Sequence, residues 1–564
     1  MDVKTPLEML YHWEARKPNT VFLRQPIDGV FHELTWKQTA DQVRRIASAL
    51  IAQNYEQGSH IAIFSKNCAE WFIADLAIMM AGHVSVPIYA TAGQETIRYI
   101  LNHSNCKAIF IGKLDDTQNQ CAAIADDVVR FAFPYGDIPA RYRWHELLQQ
   151  QPMGSSPVPD KKEVMSIIYT SGSTGNPKGV INTFESYGWS CQTLAASLDA
   201  TADDKLLSYL PLAHITERVY VEGASLYIGC NVSFVESLDT FVDDLKAVAP
   251  TLFISVPRLW TRFQMGVLAK IPPHKLNRLL SIPILKNIVA KKIRKQLGFE
   301  NVRIFGSGSA PISPATLHWY QKIGINISEG WGMSENNGLG TLSFPFRSDK
   351  VGCIGRPYEG VNLRISDEGE IQLKGPCVMT EYYLEPEKTA EAFTDDGWLK
   401  TGDKGEIDSD GYVRITGRLK DIFKTAKGKY VTPVPIEALL MENPLIEQIC
   451  VTGSNLKQPV ALLVLTPEAK VHNASHINTS LERTLKQVNQ RLESHAVLDH
   501  LIVVQDSWTT DNGLLTPTLK VKRHLIEAKY QSLLQKSYQR PVVFQGKDVS
   551  IAENEPEYSV DSND

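Results

Sequence analysis

Cysteine is scarce and unpaired along this chain: eight residues lie scattered from Cys68 to Cys450 among 564, with no C-x-x-C pair and no matched Cys/His spacing. That pattern excludes a disulfide framework and a sequence-encoded zinc site, leaving reduced thiols. Long apolar runs are missing too. The most apolar window, 71–89, is broken by Asp75, Gly82, His83 and Pro87, which a bilayer-spanning helix tolerates poorly. It reads instead as a buried helix followed by a buried strand. No charge sign dominates, since 58 basic against 63 acidic side chains leave a net charge of −5, and nothing in that balance argues for a nucleic acid polymer. The opening MDVKTPLEMLYHWEARK has no basic patch followed by an apolar run, so no signal peptide is expected and a cytoplasmic location follows.

What is present is an ordinary globular composition, 43% hydrophobic and 21% charged, in a chain long enough for two to four domains. Short apolar runs alternate with helix-length segments: HIAIF, EWFIADLAIMMAG, VSVPIY, AIFIG. That alternation predicts an α/β fold, with parallel sheets flanked by helices. The texture returns at LFISV and at VRIFGSGSAPIS, where an apolar strand runs into a glycine-rich turn, and such turns at strand ends are where ligands sit in α/β sheets. After about Val351, GEIQLKG and GEIDSDGYVRITGR predict a smaller β-rich region. A further α+β unit follows through PVALLVLTPEAK and LERTLKQVNQRLESH. Residues 542–564 read as an acidic tail, expected to be disordered. No repeat at solenoid spacing is evident.

One segment is basic. Between Lys270 and Lys295 lie Lys275, Arg278, Lys286, Lys291, Lys292 and Arg294 with no acid among them, interleaved with Leu279, Leu280, Ile282, Ile284, Leu285, Ile288 and Val289. Two readings fit: a solvated surface helix, and peripheral contact with anionic lipid at the inner face of a membrane.

The stretch YTSGSTGNPKGV, 169–180, concentrates chemistry. Small residues at Ser171, Gly172, Ser173, Thr174 and Gly175 let backbone amides converge, and the hydroxyls add donors that suit phosphate oxygens. Lys178 adds a mobile positive charge just after Pro177. The preceding VMSIIYT is strand-like, so a strand runs into a phosphate-type loop. It is not the common nucleotide loop, which needs a lysine directly after glycine and a hydroxyl directly after that lysine. A Ser/Gly linker is disfavoured by the single lysine between Pro177 and Gly179 and by the direct continuation into VINTF.

The string closely resembles the phosphate loop of the adenylate-forming superfamily: acyl-CoA synthetases, firefly luciferase and the adenylation domains of peptide synthetases. Further resemblances fall in order along most of the chain: PLAHITERV (211–219), GSGSAPIS (306–313), EGWGMSE (329–335), WLKTGD (398–403), TGRLKDIFKTAKGKYVTPVPIE (416–437) and LTPTLKVKR (515–523). HITERV, GKYVTPVPIE and LTPTLKVKR lean toward the long-chain fatty acyl-CoA synthetase branch. The resemblance implies a large N-terminal adenylation domain, 1–417, of mixed and parallel sheets with a small β-rich subdomain. It also implies a small mobile α+β C-terminal domain, 418–541.

The implied reaction joins a fatty acid to ATP, giving acyl-AMP and pyrophosphate, and then to coenzyme A, giving acyl-CoA and AMP. By resemblance, Thr170, Ser171, Gly172, Ser173, Thr174, Gly175 and Lys178 hold the β- and γ-phosphates. Trp331 and Gly332 face adenine, with Gly308, Ser309 and Ala310 on its other side. Ser334, where the family usually has threonine, lies by the α-phosphate, and Glu335 with Thr174 holds Mg²⁺, a hard ion that takes oxygen ligands. Asp403 and Arg418 address the ribose. His214 packs near the acyl carboxylate and gates its tunnel. Lys520 bridges the attacking carboxylate and the α-phosphate, although Leu519 stands where the family has glycine; Arg523 reads as structural. Lys420 occupies the hinge position, often acidic in the family, and Gly428 marks the loop used in the CoA step. The family thus implies alternation between two closed faces.

Other readings stay open at this stage. A fatty acyl-AMP ligase could deliver to a carrier-protein thiol, though no carrier-like domain is evident here. A nucleotide-binding protein without ligase activity leaves Asp403, Gly428 and Lys520 unexplained. A non-catalytic lipid-binding relative is disfavoured by the presence of Lys178, Glu335, Asp403 and Lys520.

Overall fold

The computed structural model describes residues 2–170, 176–467, 469, 473–510, 512–516 and 520–546. The chain divides into two compact units, 1–415 and 416–564.

In the first unit, a seven-stranded sheet is built around His60–Phe64, which pairs in parallel with Val84–Ile88 on one side and Ala108–Ile111 on the other. These strands are short runs buried on both faces, as a parallel sheet covered by helices requires. Helix Ala69–Met80 is apolar nearly all round and only Glu70 escapes full burial, so it lies inside the unit rather than on its surface. Window 71–89 is therefore a buried helix and strand. Strand Val164–Thr170 joins the sheet beside Val84–Ile88 and turns back antiparallel into Lys178–Thr183, pairing Tyr169 with Gly179 and Thr170 with Lys178.

A four-stranded sheet runs in the order Lys205–Ser208, Asn231–Phe234, Val21–Ile27, Val30–Thr35. A third, five-stranded sheet begins with three parallel strands, Leu252–Ser255, Ile304–Ser307 and Ile327–Trp331, and continues antiparallel through Thr341–Leu342 and Arg356–Pro357. Asn362–Ile365, Glu370–Lys374, Leu399–Ile407 and Val413–Arg418 make the β-rich sheet that the alternation after residue 351 predicts. Along the last of these strands the chain passes into the second unit.

The second unit has a sheet in the order Ile446–Thr452, Val460–Leu465, Leu501–Val503, Val542–Phe544. Its alternate residues face two cores. Ile449, Val451, Ala461 and Leu463 meet one stripe of helix Ala474–Asn489, namely Ile477, Leu481, Leu485 and Val488. Cys450, Leu462, Val464 and Ile502 point the other way, toward Trp508, Ile526 and Tyr530. Each leucine buried so contributes about 1.5–3 kcal/mol.

One expectation is corrected. Val542–Phe544 is not tail but a strand parallel to Leu501–Val503, pairing Leu501 with Val542 and Val503 with Phe544; Val542 and Val543 are buried because they complete the sheet. Residues 547–564 of the expected tail lie outside the described residues. All eight cysteines are free and buried. Among the described residues no helix is long and apolar enough to cross a membrane, and no cluster of three or more His, Cys, Asp or Glu could hold a metal ion.

Candidate active site

The expected phosphate loop begins at the mouth of the hairpin formed by Val164–Thr170 and Lys178–Thr183. Ser171, Gly172, Ser173, Thr174 and Gly175 lie outside the described residues, whereas Thr170 and Lys178 frame the mouth as a cross-strand pair. Gly179 has to be glycine: a Cβ there would stand 2.7 Å from Ile167 Cγ2 and 3.3 Å from Tyr383 Cβ. The Lys178 ammonium lies 4.4 Å from the centroid of the Tyr382 ring, close enough for attraction to the ring face.

A cleft opens beside the carboxyl ends of the three parallel strands of the five-stranded sheet. It is lined by Gly308, Ser309, Trp331, Gly332 and Thr216 together with apolar Leu198, Leu252, Ile254, Ile304, Leu342 and Phe344. Gly308 and Ser309 follow strand Ile304–Ser307 directly. Ser309 sits in the left-handed region at φ 67°, a conformation that costs a non-glycine residue about 1–3 kcal/mol and clusters at functional sites. Its hydroxyl meets that of Thr216 over 3.2 Å. Ala310, next along, is exposed and does not line the cleft. At Gly332 a Cβ would run into the Gly338 carbonyl, so only glycine lets the chain turn there.

Trp331 ends its strand buried, and its indole Nε1 donates to Asp403 Oδ2 over 2.9 Å. The Asp403 turn is fixed from below. The Asp403 N–H donates to Thr401 Oγ1 over 3.1 Å, and the N–H of Gly402, at φ 73°, donates to Glu370 Oε1 over 2.8 Å.

His214 caps the short helix Ile215–Glu217: its Nδ1 accepts the Thr216 N–H over 3.2 Å. With Nδ1 an acceptor, the neutral ring carries its proton on Nε2. Glu217, which sequence reasoning passed over, is buried and accepts from Ser208 Oγ at 2.8 Å, the Tyr209 N–H at 2.9 Å and Asn67 Nδ2 at 3.2 Å. Asn67 in turn binds the Leu210 carbonyl at 2.6 Å and the Leu212 N–H at 3.2 Å. Together they clamp the chain leading into His214. Burial pushes the Glu217 carboxyl up to about 8, against the pull of those donors. Arg218, equally buried, pairs with Asp75 at 2.6 Å and lies 3.7 Å from Glu222. The signal available in the sequence was the adjacent charges Glu217 and Arg218, with Glu222 one turn on, in a mostly apolar run.

Ser334 and Glu335 open the 3₁₀ turn Ser334–Asn336, both buried. Glu335 Oε1 accepts from the Tyr382 hydroxyl over 2.8 Å. Mg²⁺ in nucleotide sites keeps several waters and takes one or two carboxylates plus phosphate oxygens. A single positioned carboxylate such as Glu335 fits that donor set, without an all-protein cage.

The remaining predicted residues belong to the second unit. Arg418 ends strand Val413–Arg418 and Lys420 lies in the turn Leu419–Asp421, both exposed. Gly428, at φ 76°, makes the tight turn between Phe423–Lys424 and Tyr430–Val431, its N–H donating to the Thr425 carbonyl over 2.8 Å. Lys520 is exposed; its carbonyl accepts the Thr516 N–H at 2.8 Å and its own N–H donates to Thr516 Oγ1 at 3.1 Å. Leu519 lies outside the described residues. Arg523 is held by Glu437 at 2.8 Å, which with the surrounding burial fixes it inside the unit.

The family model described as AMP-binding enzyme matches residues 10–383, and that described as AMP-binding enzyme C-terminal domain matches residues 420–541. A long-chain-fatty-acid–CoA ligase of Mycobacterium bovis is 30% identical, covering 94% of this chain and 96% of its own. Long-chain-fatty-acid–CoA ligase 5 of Mus musculus is 30% identical over 93% of this chain and 85% of its own. Among solved structures, the adenylation domain of a carboxylate reductase from Mycobacterium chelonae has a TM-score of 0.81 at 21% identity, over 95% of this chain and 91% of that one. ATP-bound MatB from Rhodopseudomonas palustris gives a TM-score of 0.74 at 23% identity, over 94% and 100%. Both structures share the fold.

Proposed function

The chain belongs to the AMP-binding enzyme family, and from that premise we propose that it is an ATP-dependent long-chain fatty acid:CoA ligase. The observation that carries the reading is the cleft of the first unit. Its lining brings the hydroxyls of Ser309 and Thr216 and the Trp331 ring together with apolar Leu198, Leu252, Ile254, Ile304 and Phe344, which suits a nucleotide joined to a long hydrocarbon. The relatives at 30% identity are named for the same activity.

In the first half-reaction a carboxylate oxygen attacks the α-phosphorus and the bond to pyrophosphate breaks. In the second, the CoA sulfur attacks the acyl carbon, the thiol proton is lost and AMP leaves. The main burden of the first step is electrostatic, because two anions must meet. Lys178 and the 170–175 loop neutralise the departing phosphates. Trp331 and Gly332 take one face of adenine, and Gly308 and Ser309 the other, with Ala310 lying outside the cleft lining. Asp403 and Arg418 hold the ribose, and Ser334 the α-phosphate. Glu335, with Thr174, would hold Mg²⁺, which when bound supplies charge neutralisation at the phosphate oxygens. His214 orients the acyl carboxylate from a turn fixed by Glu217. Lys520 offsets charge on the attacking oxygen.

Residues 418–541 act as a mobile domain about Lys420, presenting Lys520 in the first half-reaction and the Gly428 loop in the second. A peripheral contact with an anionic membrane through the Lys270 to Lys295 segment belongs to the same reading. Helices Pro273–Leu280 and Pro283–Gln296 carry it. Ile284 and Ile288, one turn apart on the second helix, are 75% and 60% exposed and continue into Lys291 and Lys295 on one stripe, the pattern of an interfacial helix.

Mass spectrometry of products from ATP, Mg²⁺ and a panel of fatty acids, with and without CoA, tests the assignment. Acyl-CoA with AMP and pyrophosphate is expected. Acyl-AMP that accumulates and ignores CoA would shift the acceptor to a carrier-protein thiol, and ADP as product would end the ligase reading.

A further inference from the structure

The 381–383 stretch lies along the outer edge of strand Lys178–Thr183. Ile181 N–H donates to the Glu381 carbonyl over 3.2 Å, Tyr383 N–H donates to the Gly179 carbonyl over 2.7 Å, and Val180 bridges antiparallel to Tyr382. The stretch is also tied to the Ser334–Asn336 turn, where Met379 N–H donates to the Glu335 carbonyl over 2.8 Å. Between these two anchors the Tyr382 side chain is buried and touches both segments: its hydroxyl reaches Glu335 Oε1 at 2.8 Å, and its ring face lies 4.4 Å from Lys178 Nζ. Among the described residues, no other side chain hydrogen-bonds the Glu335 carboxylate.

We propose that Tyr382 is a positioning residue for the ATP half-reaction, setting the Glu335 carboxylate with its hydroxyl and the Lys178 ammonium with its ring. The proposal rests on the ligase reading. A carboxylate meant for an ion must present one oxygen in a fixed direction, and a donor on the other oxygen selects that rotamer. Lysine carries a flexible four-carbon stem, and an aromatic face narrows where its charge dwells. Because the two groups come from distant parts of the chain, one rigid ring registers them against each other.

The test is Mg²⁺ titration of ATP binding by calorimetry without fatty acid, so that no turnover occurs. Tyr382→Phe keeps the ring and removes the donor. It is expected to raise the Mg²⁺ concentration for half-maximal ATP binding about tenfold, the lower end of losses on removing such a supporting partner, while leaving Mg²⁺-free AMP binding unchanged. Tyr382→His, which retains a ring N–H, should recover part of the loss. Tyr382→Leu should further weaken ATP binding and leave AMP binding alone. In a Glu335→Gln background the Phe substitution should add nothing. A Phe variant that titrates like the parent, or that costs as much in the Glu335→Gln background, overturns the positioning role while the ligase reading stands. A parent protein that binds neither ATP nor AMP overturns both.

Discussion

Trp331 and Asp403 reach each other from two different sheets, the indole Nε1 donating to the carboxylate over 2.9 Å with both side chains buried. The group proposed for the base and the group proposed for the ribose are therefore set by one bond. A hydrogen bond to a charged group contributes about 1.5–3 kcal/mol. Asp403→Ala should lower AMP affinity at least about tenfold, and Trp331→Phe, which keeps an aromatic face but releases Asp403, by a few-fold. Calorimetric titration with AMP checks both, and unchanged affinity in Asp403→Ala would remove that carboxylate from the site.

Lys520 belongs to the second unit and is exposed. Lys520→Ala should abolish acyl-AMP formation, followed by pyrophosphate release, yet spare thioester formation from supplied acyl-AMP and CoA. Loss of both half-reactions would contradict a role confined to adenylation.

Glu217 supplies a pH signature. Its folded pKa, pushed up to about 8 by burial, lies above the ordinary 4.5, so the folded state binds the proton more tightly than the unfolded state. The stabilisation is present in full below the unfolded value and is lost as pH rises through about 8. Glu217→Gln keeps an acceptor for Ser208, Tyr209 and Asn67 without titrating. Thermal midpoints measured between pH 6 and 9 should fall more steeply for the parent than for this variant; parallel curves would count against the shift.

Vesicle sedimentation addresses the basic segment. Binding is expected with phosphatidylglycerol present and not with phosphatidylcholine alone, and should weaken as salt screens the lysines. Replacing Ile284 and Ile288 by aspartate should reduce it about tenfold or more, since burying each isoleucine contributes about 1.5–3 kcal/mol. Equal partitioning of parent and variant would leave a solvated surface helix.

Much of the fold was readable because buried parallel strands must be continuous apolar runs: HIAIF and VSVPIY announce themselves, and the Ala69–Met80 helix between them, apolar but for Glu70 and Asp75, belongs in the interior. The strand that leads into the expected phosphate loop was readable for a different reason, VMSIIYT being a short apolar run just before a series of small residues, whereas its antiparallel return at Lys178–Thr183 was not read from the sequence. Nor was Tyr382. A tyrosine followed by another tyrosine looks like ordinary core, and its partners Lys178 and Glu335 lie far away in sequence. Glu217 stood inside a motif already quoted, but nothing in its spacing reveals that Ser208, Tyr209 and Asn67 close over it. Strand Val542–Phe544 escaped because three apolar residues are too few to carry a period and the acidic residues after them dominate the composition.

The sealed interior position of every thiol has a practical corollary. Cys106 and Cys230, pushed up to about 12 by burial, typify side chains that will not compete for maleimide at neutral pH. The native chain is thus a clean background for site-directed dyes: one cysteine introduced at Ile284 and another at Lys427 would report, by energy transfer, whether the two units swing during turnover.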